Sequence, residues 1–503
     1  MVNQFEYRKN SIQNSKKIAG RFLVQTKEGG LVALDEQMYG LYEEAHGHHL
    51  EEILEDKHLL IQDPTIIRAG IAILAEAGLL CRQMDHITDQ KPVEHPVIGK
   101  KVSVIIVAYR GMEWIKSLIP TILNQIYSPI EIILVENGPT DGTGGWIKET
   151  YRGDIRVIHL EHSVPFAKAT NCGIQQASGE YFCILNQDIL LKPDTIHRLV
   201  VRSEDNKINC GAVAAKLLLT WAPNFLNGLG NIVGPSFYGT DLGFGQIDLG
   251  QLDAVEEVPS ACFATTLISR QAWEAVGGMD ENYGMYYEDA DWCYQARNKG
   301  YLILANPKAE VFHAFGGSNG KNYSGLSEGK VAEVTYSRLR FATKLVPLEN
   351  LIRFLGGYLF EDVLHIVQAV FRLQFTTAGI YLAAWVKWLR DLPEIIVKRK
   401  KIGINRTYFC KLQHMDLKYF RPIQWRGLPE ITENSLVEFY LPMILAGETR
   451  PLPEFENFPE MLEEMTESEI RKNQNMKFRK GKVLEGNFAA TWEKVRWRLI
   501  SRY

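Results

Sequence analysis

One pattern constrains this chain more than any other. From Lys101 a near-continuous apolar strand is followed by a helix, and the pair recurs. Val102-Ser103-Val104-Ile105-Ile106-Val107-Ala108-Tyr109 is the first strand. A helical stretch from about Glu113 to Gln125 leads to a second strand, Ile130 to Asn137. Another helix, from about Gly144, leads to Ile155–Leu160, and a third, Phe166 to Ala177, leads to Tyr181–Leu185. Strands this apolar must be covered on both faces, and their alternation with helices predicts a parallel, doubly wound α/β sheet. Ligands of such sheets sit beyond the carboxyl ends of the strands. That singles out Tyr109 and Arg110, Glu136 and Asn137, and Asp188. No GxGxxG follows the first strand and no GxxxxGK[ST] occurs. Both absences argue against a dinucleotide dehydrogenase and a P-loop kinase.

A second stretch carries the chemistry. Glu288, Asp289 and Asp291 lie within four residues, after an aromatic loop, with nothing basic between Arg270 and Arg297. The run from Trp292 reads as helix, which places Glu288 and Asp291 on one face and Asp289 about a quarter turn away. Acids in a first helical turn also suit the helix dipole with no further role. The other acidic site is Leu185-Asn186-Gln187-Asp188, at the end of the fourth strand. Two carboxylate sites on one sheet edge suggest a metal ion plus a general base.

The 503 residues predict about three domains. With 46% hydrophobic and 23% charged residues and a net charge of -4, the composition is that of a soluble globular protein without general affinity for polyanions. Seven scattered cysteines without a CxxC point to buried thiols in a reducing compartment. The N-terminus lacks a signal-peptide plan, and no uncharged apolar run reaches the roughly 18 residues that span a bilayer. The expectation is a cytoplasmic protein with no nucleic-acid partner.

Residues 1–90 predict a small αβ domain. Arg21–Gln25, Gly29-Gly30 and Leu31–Leu34 read as a hairpin, followed by helices from Glu36 to about Glu44 and from Pro64 to Ala77. A winged-helix shape fits, but 14 acidic against 9 basic residues (net -5) argue against DNA binding. The element order is weakly similar to PqqD-type domains, which bind a peptide along a hairpin edge. His46, His48, His49 and His58 near Glu51 and Glu52 read as a solvated face rather than a metal site. Residues 86–100 read as a linker.

The region 101–345 resembles family 2 glycosyltransferases of the GT-A fold, the rhamnosyltransferase-like branch in particular. Five segments match in order. Ser103 to Tyr109 looks like the first strand, whose end holds the nucleotide base. Val135-Glu136-Asn137-Gly138-Pro139-Thr140-Asp141-Gly142 looks like V-D-N-G-S-x-D-G, with Glu136 replacing an Asp. Phe166 to Gly173 looks like G-F-A-x-A-x-N-x-G without its leading Gly, which is Pro165 here. Leu185 to Asp188 looks like an L-N-x-D form of the DxD motif. Gly277 to Glu281 and Glu288 to Asp291 look like G-G-F-D-E and E-D-x-D.

The resemblance implies a Rossmann-like nucleotide-diphospho-sugar transferase domain and an inverting transfer from a UDP- or dTDP-sugar to a glycan, lipid-linked or peptide hydroxyl. It implies donor contacts from Ala108, Tyr109, Arg110, Glu136, Asn137, Asp141, Phe166, Asn171, Asn186 and Gln187. A divalent cation, Mg or Mn, is implied at Asp188, with His313 as a further ligand. Asp289 is implied as base and Glu288 as its partner. Asp291 is expected as a helix cap that could exchange roles with Asp289. Ala261, Cys262, Asp291 and Trp292 fall on the acceptor side. Val258–Ala264 is expected to begin a strand bordering the acceptor. The Gly-rich stretch 221–253 reads as an acceptor loop, with Trp221, Phe237, Tyr238 and Phe244 as stacking aromatics. The stretch from Gly316 to Ser327 reads as a closing loop. The substitutions Glu136 and Pro165 and the reduced Leu-Asn-Gln-Asp motif keep open an alternative: a degenerate transferase acting as a peptide- or lipid-binding module.

Residues 346–503 predict a helical region with an extended tail. Leu373 to Val386 is uncharged, and Lys398-Arg399-Lys400-Lys401 follows. Apolar helices beside a basic cluster suggest peripheral contact with an anionic membrane face.

Overall fold

The structure, a computed structural model, describes residues 5–9, 12–18, 21–26, 31–77, 79–84, 96–138, 141–204, 209–220, 222–233, 239–244, 248, 250, 252–284, 286–314 and 328–404. It also describes 421–424, 430–433, 436, 449–454 and 482–483.

The chain starts with strands β1 (Phe5–Lys9), β2 (Ile12–Ile18), β3 (Arg21–Thr26) and β4 (Leu31–Leu34). Helices α1 (Glu36–Glu44), α2 (Leu50–Glu55) and α3 (Pro64–Glu76) follow, then β5 (Leu80–Met84). The predicted pairing is present, with Phe22 opposite Leu34 and Val24 opposite Val32. The Gly29-Gly30 turn lies outside the described residues. Asp35 and Asp63 cap α1 and α3 with their carboxylates, which is why those helices start where they do. Among the described residues, no group of three or more His, Cys, Asp and Glu is disposed to hold a metal, the histidines after α1 included.

The central sheet begins with β6 (Val97–Ala108), α4 (Met112–Leu123), β7 (Tyr127–Asn137), α5 (Thr143–Tyr151) and β8 (Ile155–Leu160). It continues with α6 (Phe166–Gln175), β9 (Tyr181–Asn186), β10 (Ile189–Leu191), α7 (Thr195–Ser203) and β11 (Cys210–Leu219). Then come β12 (Ala222–Leu229), β13 (Asn231–Val233), β14 (Gly239–Asp241), β15 (Thr265–Ser269), α8 (Arg270–Val276), α9 (Glu288–Asn298) and β16 (Leu302–His313).

The sheet order is β10-β16-β11-β15-β9-β6-β7-β8, with β12 added to β11. Strands β9, β6, β7 and β8 are parallel, as predicted. Along β6, Val102, Val104 and Ile106 pack into one core and Ile105 into the other. Each such fully buried side chain stabilises by about 1.5–3 kcal/mol. The other half departs from the all-parallel expectation. β15 runs antiparallel to both β9 and β11, so the sheet is mixed. An antiparallel strand needs no crossover helix, so the βα alternation that predicts the first half is silent here. Val258–Ala264 is not the start of that strand. It precedes β15, which starts at Thr265, and makes an isolated bridge from Ser260 to Asn231.

The C-terminal part is helical, as expected: α10 (Glu328–Leu345), α11 (Leu348–Phe371) and α12 (Phe375–Ile402). Short strands β17 (Arg421–Gln424), β18 (Glu430–Ile431), β19 (Thr449–Glu454) and β20 (Lys482–Val483) follow. β18 returns to pair with β4. Helix α11 is long and apolar enough to cross a membrane by length and composition. The uncharged-run criterion misses it because Glu361 and Asp362 interrupt the run. Those two acids are buried and pair with Arg338 of α10.

Candidate active site

The strand tips are braced by side-chain amides. Gln187 accepts from the Tyr109 backbone N–H (2.8 Å) and donates to the Tyr109 carbonyl (3.2 Å), tying the end of β9 to that of β6. Asn137 makes the same two-bond bracket with Val164 (2.9 Å each). Asn171 brackets Met279 (2.9 and 3.0 Å) and also donates to Glu281. These three amides, expected at the donor, bond protein backbone and fix the loops around the edge. Gly111 permits the closest of these approaches, because a Cβ there would lie 2.1 Å from Gln187 Oε1.

Glu136 accepts from the Gly144 N–H (3.1 Å) and pairs with His159 (2.9 Å), so its carboxylate also sits at the start of α5. Asp141 accepts from the Met112 N–H and from Thr143. Burial opposes its charge, but those bonds prevail and hold its carboxyl below the usual value. Tyr109 is 44% exposed and stacks beneath Arg110, whose backbone is left-handed (φ 47°). Ala108 is buried at the strand end, Asn186 is partly exposed, and Phe166 packs partly buried at the start of α6.

Asp188 and His313 meet because β10 pairs with β16, Ile189 opposite His313. His313 Nε2 lies 3.5 Å from Asp188 Oδ1. His313 Nδ1 donates to Asn227 Oδ1 (2.5 Å), which directs Nε2 toward the carboxylate. Two ligands with bonds of about 2.1 Å to one cation stand about 3–3.5 Å apart, so the pair fits a divalent ion completed by phosphate oxygens. An oxygen and an imidazole together suit Mn. No third His, Cys, Asp or Glu joins them among the described residues.

The polar chain continues. Asn227 Nδ2 donates to Asp241 (3.2 Å), and Asp241 faces Asn231 across the β13–β14 ladder. Asn231 Nδ2 in turn donates to Asp289 Oδ2 (2.7 Å). The turn between β12 and β13 needs Gly230 (φ +73°), where a Cβ would lie 2.5 Å from the Ser260 carbonyl. One run of contacts thus joins Asp188 to Asp289. Asn227, Asn231 and Asp241 all fall in the Gly-rich stretch read as a loop. Their signal was polar residues in that stretch, and only the β12 to β14 pairing aims them inward.

Burial, then the charge of Asp289, pushes the Asp241 carboxyl up to about 7. Burial and the Asp289 charge push Glu288 to about 8. Asp289 is also raised, by burial, against the bonds it accepts from Ala290 and Asn231. Glu288 Oε2 is buried with no hydrogen-bond partner. Burial, followed by the charges of Asp241 and Asp289, raises the Cys262 thiol, which places Cys262 beside these acids as an uncharged neighbour.

The remaining acceptor-side expectations fall in the core. Asp291 is fully buried and bonds Lys344 (2.7 Å), Gln295 and Tyr283, so it can neither cap at the surface nor stand in for Asp289. Trp292 is buried on Trp273, with its ring N–H on the Gly277 carbonyl, and Ala261 is buried against Cys293. Phe244 is partly buried. Trp221, Phe237, Tyr238 and the stretch from Gly316 to Ser327 lie outside the described residues. Tyr286 and Tyr287, at φ 67° and 71°, form the turn that presents Glu288 and Asp289. Such backbone is costly for bulky residues, and packing of Tyr287 on Phe341 of α10 holds it.

Residues 103–221 match the family model Glycosyl transferase family 2. This segment contains Asp188 and the tips of the four parallel strands, and the acids of α9 lie beyond it. The chain is 25% identical over 262 residues to the O-antigen biosynthesis protein RfbC of Myxococcus xanthus, covering 50% of this chain and 20% of that one. It is 36% identical over 104 residues to the glycosyltransferase GlyG of Streptococcus pneumoniae, covering 20% and 35%. The chain spans about a fifth to a third of the length of relatives of this kind. Among solved structures, it is similar to the mannosyltransferase PcManGT of Pyrobaculum calidifontis, seen with GDP-Man and Mn2+. That match has 16% identity and a TM-score of 0.38, over 65% of this chain and 99% of that one.

Proposed function

We propose that this chain is an inverting glycosyltransferase that moves a sugar from a UDP- or dTDP-type donor to a hydroxyl of a glycan, lipid-linked or peptide acceptor. The family 2 match over 103–221 supports the class. The observation that carries the mechanism is the contact run from Asp188 and His313 to Asp289.

Asp188 and His313 are the residues that would hold a divalent cation, which when bound offsets charge on the leaving diphosphate. Asp289 serves as base. Asn231 and the Ala290 N–H hold its two oxygens, so its orientation is set before an acceptor arrives. Its raised affinity for protons, a result of burial, suits it to take the hydroxyl proton as that oxygen attacks the anomeric carbon. Glu288, neutral near pH 7, adds no second charge, and its unpartnered oxygen can receive a sugar hydroxyl. One displacement on one face inverts the anomeric configuration.

The test is nucleotide-sugar hydrolysis and transfer by purified protein carrying Asp289→Asn. Loss of turnover with nucleotide binding retained supports the reading, and near-normal turnover sinks it. Nucleotide binding by the unaltered protein without turnover, under any metal, favours the binding-module alternative.

A further inference from the structure

Helices α11 and α12 form an antiparallel hairpin. His365 stacks on Tyr381, and Trp385 donates to Asp362 (2.8 Å). The hairpin's inner face packs on α10 through apolar and aromatic side chains, Leu355, Trp388 and Ile395 among them, and through ion pairs. Arg338 of α10 meets Glu361 and Asp362, and Arg340 meets Glu394. Its outer face is different. Leu348, Ile352, Leu359, Val363, Val367 and Val370 are all exposed on α11 at helical spacing. Phe375, Leu382, Val386, Leu389 and Ile396 repeat this on α12. The tip between the helices is exposed too, with Phe371 at 83% and Leu373 at 76%. At about 1.5 Å per residue, the two stripes run roughly 30–35 Å side by side. That is far beyond the scattered apolar residues of an ordinary surface.

The charges say what covers this face. Residues 348–402 carry eight Lys and Arg (353, 372, 387, 390, 398, 399, 400, 401) against five acids (349, 361, 362, 391, 394), a net +3. Within the fold, Glu361 and Asp362 are engaged by Arg338, Asp391 by Tyr336 and Arg390, and Glu394 by Arg340 and Lys398. Arg372, Lys400 and Lys401 are exposed alongside the stripes, as is Arg390, which pairs with Asp391 on its own helix (2.9 Å). A second copy of this face would set that row of cations against itself. A layer of anionic headgroups over acyl chains answers both the charge and the apolar stripe.

We propose that the α11–α12 hairpin docks this protein on the surface of a bilayer containing anionic lipid, with the outer stripes in the acyl boundary and the flanking cations at the headgroups. This surface is separate from the sugar-transfer reading, because binding uses neither donor nor Asp289.

The test is flotation of the full chain with vesicles of phosphatidylcholine alone and of phosphatidylcholine mixed with phosphatidylglycerol. The expected result is flotation with the mixed vesicles, weakened by high salt. Binding should fall at least about tenfold in Val386→Glu with Leu389→Glu, and in Lys400→Glu with Lys401→Glu. These side chains are exposed, so an unchanged melting temperature in solution checks that the variants fold. The proposal is overturned if the unaltered chain stays unbound to mixed vesicles or if neither variant weakens flotation. It is also overturned if sedimentation shows a dimer that Val386→Glu dissociates while vesicles capture nothing, which would make the face an interface between copies.

Discussion

Asn231 and Asp289 lie 58 residues apart and meet amide nitrogen to carboxylate oxygen at 2.7 Å. The bond aims Asp289 without neutralising it. Asp289→Asn should lower turnover by roughly 10²–10⁴ while nucleotide affinity stays near that of the unaltered protein. Asn231→Ala should lower kcat about tenfold with little change in donor KM. Steady-state kinetics check both, and a KM change with kcat intact would count against positioning.

Asp188 and His313 should act as a unit on nucleotide binding. In a thermal-shift assay with UDP and Mn, each alanine variant should lose the metal-dependent part of the stabilisation, and chelation should do the same to the unaltered protein. Asn227→Ala, which frees the His313 ring to turn, should weaken the metal effect about 10- to 100-fold. A metal response unchanged in Asp188→Ala would remove Asp188 from the site.

Lys344 bonds Asp280 at 2.9 Å and Asp291 at 2.7 Å, all three buried. Lys344→Met leaves two carboxylates short of a partner and should cost about 3–5 kcal/mol in denaturant unfolding. Adding Asp291→Asn should recover part of that loss, because one of the stranded charges is then gone. Equal stability of the single and double variants would contradict the coupling.

Glu288 binds a proton more tightly folded, at about 8, than at its ordinary value of 4.5. A carboxyl raised on folding contributes stability below 4.5 that is lost as pH rises through about 8. Glu131 has the opposite sign. Burial alone would raise it, but bonds from Ser103 and Ser178 lower it to about 2, so its contribution is lost as pH falls from 4.5 toward 2. Glu288→Gln should therefore flatten the decline in stability between pH 5 and 8, by on the order of 3 kcal/mol. Melting curves across that range check the sign. An unchanged slope would mean that Glu288 is not held protonated.

The four parallel strands and the helices between them were legible because both periods are strong in the sequence and because βα units are local. Asp188 was legible as the polar end of an apolar strand, and Asp289 as part of a dense acidic run. Asn227, Asn231 and Asp241 were not, because their meaning comes from strand pairing across a Gly-rich stretch with no periodicity of its own. Asn137, Asn171 and Gln187 were legible as polar residues near the edge, but not as backbone brackets. A polar side chain reads the same in sequence whether it meets a ligand or a carbonyl 27 or 108 residues away. Asp291 shows the same limit: nothing near it in sequence announces Lys344, which lies 53 residues on.

Strand β18 joins the C-terminal part of the chain to its first strands. Ile431 lies beside Leu34, Glu433 N–H bonds Asp35, and Leu436 is buried in the N-terminal core. The first ninety residues therefore share their melting with a segment more than three hundred residues downstream. A fragment ending near residue 90 would carry an uncovered strand edge and a hole where Leu436 belongs, and such an edge recruits other chains. Nicking the backbone between β5 and β18 should leave both pieces clasped together, like a buckle whose strap has been cut.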